Sequence, residues 1–350
     1  MTFALAPFSL LYGATVRARA ALYRSGALAV ERVGAPVVSV GNITTGGTGK
    51  TPLVEWAARA LARGSGKRVC VLTRGYGRED ERRRVVVSDG EKVLAGAREG
   101  GDEPRLLAES LLGVAAVLSD ADRVAGACWA AENLGAEVFV LDDGFQHLRL
   151  ARELDIVTVD ATNPWGGGHL LPRGRLREPR RALARAGCVV ITRADLADDL
   201  EALRAEVLRL SEGRAVVLAS WARTLRLRPL GGESQAREDE GAAGGSQRVG
   251  AFCGVGNPEA FFAHVRRDGR EVCYARAFPD HHVFTTEELE AVARESAKRG
   301  ASAVLLTAKD AVKIEPREFA LPFYVLEIGL EFDDESALLK LLDEAVAQRG

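Results

Sequence analysis

Residues Val37 to Val40 read as a strand that runs straight into Gly41-Asn42-Ile43-Thr44-Thr45-Gly46-Gly47-Thr48-Gly49-Lys50-Thr51-Pro52, after which an apolar helical pattern opens at Leu53. Strand, glycine-rich turn, Gly-Lys-Thr and helix in that order make a phosphate-binding loop. Glycines let backbone N–H groups turn inward around an anion. Lys50 can reach the terminal phosphates, and Thr51 offers a hydroxyl to Mg²⁺ at a helix N-terminus whose dipole favours negative charge. The cradle is therefore expected from Gly46, Gly47, Thr48, Gly49, Lys50 and Thr51, around a nucleoside triphosphate with ATP as the default. The pattern departs in one place: Thr44 stands five residues before Gly49 where the motif has glycine, and glycines occur instead at 41, 46 and 47. The competing reading is a glycine-rich turn that caps a helix.

The loop implies an α/β layer fold, and the segments after it alternate accordingly. A helix is expected over Leu53–Ala62, and strands over Arg68–Thr73, Arg84–Ser88, Ala115–Leu118, Val138–Leu141, Ile156–Asp160, Cys188–Thr192 and Ala215–Ser220. Most are short, apolar on both faces and separated by helix-length segments, as parallel strands buried under crossover helices are. Thr224–Leu230 alternates apolar and basic residues like an exposed ribbon, and 231–247 has the Gly, Ser, Ala, Glu and Arg composition of a flexible loop. A second run follows, with strands over Val249–Cys253, Glu271–Ala277, Ala303–Thr307 and Phe323–Ile328. Helices are expected over Pro258–Val265 and Glu287–Lys298, and one closes the chain from about Glu335. Thr285 with Glu288 makes a capping box. The expected organisation is a P-loop-containing doubly wound, mainly parallel sheet and a second, smaller α/β lobe joined by a β-ribbon linker. Its segments are 1–30, 31–221, 222–248 and 249–350.

The chain's 350 residues suffice for two domains. A net charge of −2 argues against a general nucleic-acid binder, and no obligatory protein partner is inferred. The cysteines at 70, 128, 188, 253 and 273 form no Cys-x-x-Cys pair, so neither a zinc site nor a disulfide framework is suggested, and a reducing cytosol fits. No apolar run is long enough to span a bilayer. Residues 1–30 are distinctive. Phe3, Leu5, Phe8, Leu10, Leu11, Tyr12, Val16, Leu22 and Tyr23 alternate with Arg17, Arg19 and Arg24, and no acid precedes Glu31. Two readings stand: a helix in an anionic membrane surface through residues 1–24, or an amphipathic helix packed on its own domain.

Several constellations carry chemistry. The apolar strand ending at Leu141 leads into Asp142-Asp143-Gly144-Phe145-Gln146-His147, and an aspartate at that edge is where a P-loop enzyme keeps its Mg²⁺ ligand. Gly100-Gly101-Asp102-Glu103-Pro104 reads as a helix start over Arg105–Leu112, with the Asp102 carboxylate as cap, or as paired carboxylates presenting a base. Phe278-Pro279-Asp280-His281-His282 offers an imidazole for proton handling or a solvated loop. Arg173, Arg175, Arg177, Arg180 and Arg181 lie in a Gly/Pro-rich stretch suited to an anion or to solvent, and Arg74-Gly75-Tyr76-Gly77-Arg78 shares that ambiguity.

Taken together, Gly41-Asn42 with Gly46 to Pro52, Thr73 to Gly77, Gly101 to Pro104, Asp142 to His147, Pro172 to Pro179 and Asp280-His281 resemble the tetraacyldisaccharide 4'-kinases of lipid A synthesis, in an order that spans almost the whole chain. Thr307-Ala308-Lys309-Asp310-Ala311-Val312-Lys313 also resembles a late motif of that family, with Ala308 in place of glutamate. The resemblance implies transfer of the ATP γ-phosphoryl group to the 4'-hydroxyl of an acylated glucosamine disaccharide 1-phosphate, by a peripheral protein at the cytoplasmic face of the bacterial inner membrane. It implies Lys50 on the phosphates and Thr51, Asp142, Asp143 and Glu103 around Mg²⁺. Asp102 becomes the base, assisted by His281, while Asn42, Arg74, Tyr76, Gln146, His147, Arg173, Arg175 and Arg177 face the acceptor. Two other classes remain open: a P-loop ligase acting on a soluble acid, and a nucleotide-switched ATPase or GTPase. For a guanine switch, Thr192-Arg193-Ala194-Asp195 is a faint echo of Asn-Lys-x-Asp.

Overall fold

The computed structural model describes residues 5–231, 248–315 and 317–347. The chain divides into two compact units, Met1–Trp221 together with Leu330–Gly350, and Ala222–Gly329. Phe3 and the loop expected at 231–247 lie outside the described residues, Gly231 excepted.

In the first unit α1 (Ala6–Arg24) precedes β1 (Val37–Asn42), α2 (Lys50–Ser65), β2 (Val69–Thr73), β3 (Val85–Ser88), α3 (Ala97–Gly100), α4 (Asp102–Ser110), β4 (Ala115–Ser119), α5 (Arg123–Leu134) and β5 (Val138–Asp142). β6 (Leu154–Asp160), β7 (Cys188–Thr192), α6 (Leu200–Leu210) and β8 (Val216–Pro229) follow. The strand order is β8-β7-β6-β1-β5-β2-β4-β3. The pairings from β8 to β4 are parallel, and β3 alone runs antiparallel, on β4. Every residue of β1, β2, β4, β5 and β7 is buried, which is why these strands read as continuous apolar runs. After β1 the chain moves out to β2 and later crosses to β6 on the opposite side. The carboxyl end of β1 is thus where strand order reverses, the place where such sheets bind ligands.

Successive β1 side chains serve opposite layers. Val38 and Val40 pack with Leu53, Val54 and Ala57 of α2 and Leu107 of α4, whereas Val37 packs with Val124 and Ala127 of α5. Leu203 and Val207 of α6 cover Val157, Val159 and Ile191.

The second unit carries the end of β8, then β9 (Arg248–Cys253), α7 (Pro258–Arg267), β10 (Glu271–Ala277), α8 (Thr286–Lys298), β11 (Ala303–Thr307), α9 (Ala308–Ala311) and most of β12 (Phe323–Phe332). Its strands β10-β9-β11-β12 are parallel. Thr285 and Glu288 form a reciprocal capping box at α8. Phe252, Phe278, Phe284 and Phe323 make its aromatic core.

Four expectations need correction. The strand at Ala215–Ser220 and the ribbon at Thr224–Leu230 are one 14-residue strand, β8, whose basic residues Arg226 and Arg228 both reach Glu327 of β12, at 2.6 and 2.8 Å. The strand at Arg84–Ser88 is an antiparallel edge, not a buried parallel member. The helix expected from Arg105 begins at Asp102, and Gly101 rather than Asp102 occupies its N-cap. The closing helix, α10 (Glu335–Ala347), belongs to the first unit, because Leu338, Leu342, Ala345 and Val346 pack in the α2 and α4 core.

Candidate active site

The glycine-rich loop leaves β1 and enters α2 at Lys50. Gly49 caps the helix with φ 78°, and the first turn contains no acid, so the N-terminal partial charge is uncompensated. Among the described residues, nothing accepts from the N–H groups of Gly46 to Lys50. Behind the loop, the Thr48 hydroxyl accepts from Asn42 Nδ2 at 2.9 Å and meets Thr158 Oγ1 at 2.8 Å. Gly46 has φ 110°, and a Cβ there would lie 2.4 Å from Arg175 Nη2. The position needs glycine for its backbone angle, and the exposed Arg175 guanidinium lies over it.

Asp142 and Asp143 emerge from β5 beside this loop. Asp143, held at φ 55°, receives Arg177 Nη1 at 2.6 Å and faces Lys50 Nζ at 3.5 Å. Burial works against its charge, but Lys50 and Arg177 outweigh it and hold the carboxyl below its ordinary range. Asp142 is the opposite case. Burial, then the neighbouring charges of Glu103 and Asp143, push its carboxyl up to about 7 despite Lys50 and Arg123. Its Oδ1 is buried and accepts no hydrogen bond. An orphaned carboxylate oxygen beside the carboxylates of Asp143 and Glu103 is the atom here that could ligate a cation. No three His, Cys, Asp or Glu side chains are grouped to hold one among the described residues. An ion there would take most ligands from phosphate and water, as Mg²⁺ does.

The Gly-Gly-Asp-Glu turn reaches the same place. Gly101 has φ 101°, and a Cβ on it would lie 3.2 Å from Gly75 Cα, so only a glycine pair lets the 73–77 turn and the start of α4 approach this closely. Asp102 and Glu103 are thereby half-buried at the α4 N-terminus, with Glu103 in electrostatic contact with Asp142. Arg74 and Tyr76 remain exposed, joined by an Nη1–OH contact of 3.0 Å with the guanidinium over the ring. Arg123, which sequence reasoning missed, is buried and donates to the Asp120 and Ala121 carbonyls at 3.2 Å, with Asp142 as the charged group that favours its cation most. Nothing in its local sequence marks it, since it reads as the first residue of an ordinary helix.

Two residues expected on the acceptor are engaged elsewhere. Asn42 is fully buried; its Nδ2 donates to Thr48 Oγ1, while its Oδ1 has no hydrogen-bond partner among the described residues. Gln146 Nε2 donates to Asn42 O at 2.9 Å and Glu178 Oε1 at 3.0 Å. Both position the loop rather than face outward. His147 is half-buried, and burial followed by the charges of Arg123 and Arg152 lowers its imidazole to about 4, so it is neutral near pH 7. In the 172–179 stretch, Thr45 N donates to Arg175 O and Arg177 N to Ile43 O, both at 2.7 Å. These bonds tie the arginine segment to the loop. Leu176 and Glu178 are buried supports, the latter paired with Arg185, while Arg175 is exposed and Arg173 half-buried.

His281 lies in the second unit at φ 61°. Lys309 Nζ approaches it at 3.4 Å and Asp280 Oδ1 at 3.2 Å. Asp310 and Lys313 of the late motif form a buried ion pair at 2.8 Å.

α1 is tied to its own domain along one face. Ser9 Oγ donates to Leu170 O at 2.8 Å, Tyr12 OH to Arg177 O at 2.9 Å and Arg19 Nη1 to Gln146 O at 3.0 Å. One narrow face is therefore docked. Phe8, Leu10 and Leu11 stay 62, 70 and 65% exposed.

The family model described as LpxK, tetraacyldisaccharide-1-P 4'-kinase, matches residues 1–347. A tetraacyldisaccharide 4'-kinase of Anaeromyxobacter sp. (strain Fw109-5) is 49% identical over 354 residues, covering 98% of this chain and 92% of that protein. One of Geobacter metallireducens is 43% identical over 312 residues, covering 89 and 88%. The crystal structure of LpxK from Aquifex aeolicus in complex with ATP is similar with a TM-score of 0.78 and 32% identity, covering 99% of each chain.

Proposed function

The chain belongs to the tetraacyldisaccharide 4'-kinase family, and from that premise we propose how its residues carry γ-phosphoryl transfer from ATP to the 4'-hydroxyl of the acylated disaccharide 1-phosphate. The observation that carries the reading is the Lys50–Asp143–Arg177 charge chain at the open N-terminus of α2, beside the orphaned oxygen of Asp142.

The N–H groups of Gly46, Gly47, Thr48, Gly49 and Lys50 bind the phosphates, and Lys50 turns from Asp143 to the transferring group, whose charge it offsets. Thr51, Asp142 and Asp143, with Glu103 behind them, would hold Mg²⁺, which when bound neutralises charge on the β- and γ-oxygens. Asp102, at the first position of α4, takes the proton of the 4'-hydroxyl as that oxygen attacks phosphorus. The family resemblance gives His281 as an assisting residue, and within the second unit Lys309 and Asp280 steady its loop. Arg74, Tyr76, Arg173 and Arg175 meet the acceptor's anionic and sugar groups. Neutral His147 serves there as a hydrogen-bonding group rather than a cation. Alignment and charge compensation supply most of the rate, and the base contributes about 10²- to 10⁴-fold.

The protein works as a peripheral enzyme at the cytoplasmic face of the inner membrane. No helix among the described residues is long and apolar enough to cross a membrane. The exposed Phe8, Leu10 and Leu11, with Arg17 and Arg24 on the same helix, suit an anionic interface.

Incubation with γ-labelled ATP and the disaccharide acceptor tests the reading. Label in an organic-soluble lipid is expected. Label in a soluble intermediate would indicate a ligase, and free phosphate alone a nucleotide switch. On anionic vesicles, Leu10→Glu with Leu11→Glu is expected to weaken attachment at least about tenfold. Unchanged attachment would leave α1 as a packed helix only.

A further inference from the structure

A phosphate-binding loop functions only if its peptide planes are turned so that amides, not carbonyls, face the anion. In this chain two successive planes are fixed from outside the loop. Thr48 O accepts from Thr192 Oγ1 at 2.9 Å, with Val159 O farther from that hydroxyl at 3.4 Å. Gly47 O accepts from Arg193 Nη2 at 2.9 Å. Arg193 sits at φ 54° immediately after β7, and its other terminal nitrogen is paired with Asp160 at the end of β6. The Asp160 carboxylate is in turn anchored, with Oδ1 accepting from Thr162 N at 3.1 Å and Thr162 Oγ1 at 2.8 Å.

A trans peptide is planar, with C=O and the following N–H pointing in opposite directions. Drawing Gly47 O toward Arg193 therefore sends Thr48 N–H the other way, and drawing Thr48 O toward Thr192 does the same for Gly49 N–H. Neither amide has a partner among the described residues. We propose that Thr192 and Arg193 are positioning residues of the nucleotide loop, holding two carbonyls back so that the Thr48 and Gly49 amides stand ready for the phosphates. The Asp160 partner defines what kind of residue Arg193 is. With its charge balanced by a carboxylate and one edge committed to a carbonyl, the guanidinium acts on the loop backbone instead of on a phosphate oxygen. Its fork matters, because a lysine ammonium on a flexible stem lacks the planar, two-ended reach that joins Asp160 to Gly47 O. This inference rests on the assignment of ATP to the loop.

The test uses the full-length protein, calorimetry with Mg·ADP, and steady-state kinetics with ATP and the lipid disaccharide. Thr192→Val removes the hydroxyl at constant shape, Thr192→Ser keeps it, and Arg193→Lys keeps the charge opposite Asp160. Thr192→Val and Arg193→Lys are each expected to weaken ADP binding and raise KM for ATP by about tenfold, the scale of one hydrogen bond. KM for the acceptor should stay within about twofold, and Thr192→Ser should restore parental values. ADP affinity equal to the parent's in both variants, or equal rises in both KM values with a lowered thermal midpoint, would overturn the proposal and leave a purely structural role. A parent protein that binds no ADP would overturn the ATP assignment itself, and this inference with it.

Discussion

Two buried aspartates, one in each unit, are provided for in opposite ways. Asp310 is fully buried, and each of its oxygens is matched: Oδ2 accepts from Gly254 N at 2.9 Å and Thr307 Oγ1 at 2.7 Å, and Oδ1 from Lys313 Nζ at 2.8 Å. Asp142 is 4% exposed, has a carboxylate oxygen with no donor, and lies beside the like charges of Glu103 and Asp143. Burying a carboxylate is tolerable when its lone pairs are filled and unfavourable when they are not. Asp310 therefore holds a scaffold together, tying the turn after β9 to α9. Asp142 keeps a carboxylate lone pair unfilled beside the loop.

The strongest way to break this contrast is Lys50→Ala. Arg177 still holds Asp143 in that variant, so the fold should survive while phosphoryl transfer falls by about 10³-fold or more; near-parental kcat would dismiss the loop as the phosphate site. Next comes Asp310→Asn, which strips Lys313, itself only 4% exposed, of its countercharge. Urea unfolding should show a loss of about 3–5 kcal/mol, with turnover per folded molecule retained. A loss under about 1 kcal/mol would erase the distinction. The third effect has the opposite sign. Asp142→Asn should lose transfer, yet stabilise the ligand-free protein by at most about 4 kcal/mol near pH 8. The sign follows from a folded-state value of about 7 set against an unfolded value of about 3.9. Between these values the native chain retains a proton that the unfolded chain releases, so the parent loses stability as pH rises through that window. The midpoint gap between variant and parent should open from about pH 4 to about pH 7 and then level off; a gap independent of pH would remove Asp142 as its source.

What could be read beforehand follows a physical rule. The β1–loop–α2 unit and Asp142 at the end of β5 were legible because strand, glycine turn, helix and strand-end acid are contiguous in sequence. The capping box of α8 was legible for the same reason. Arg123, Thr158, Thr192 and Arg193 were not, because each acts through a contact made by sheet order, and parallel neighbours are far apart along the chain. For Asn42 and Gln146 the motif does not show the local contacts, Asn42 Nδ2 donating to Thr48 Oγ1 and Gln146 Nε2 to Asn42 O, because these too depend on how the loop folds back on β1. The exposed ribbon of β8 was legible in its alternation, but its pairing with Glu327 of β12 was not, because that contact is made across the sheet.

The return of α10 to the first unit has a consequence for the order of assembly. On a ribosome, the core beneath the nucleotide loop's own helix lacks part of its cover until Leu338, Leu342, Ala345 and Val346 have been translated and released from the exit tunnel. The nascent chain must therefore carry an unfinished nucleotide-binding core through synthesis of the entire second unit, and only the final helix seals it.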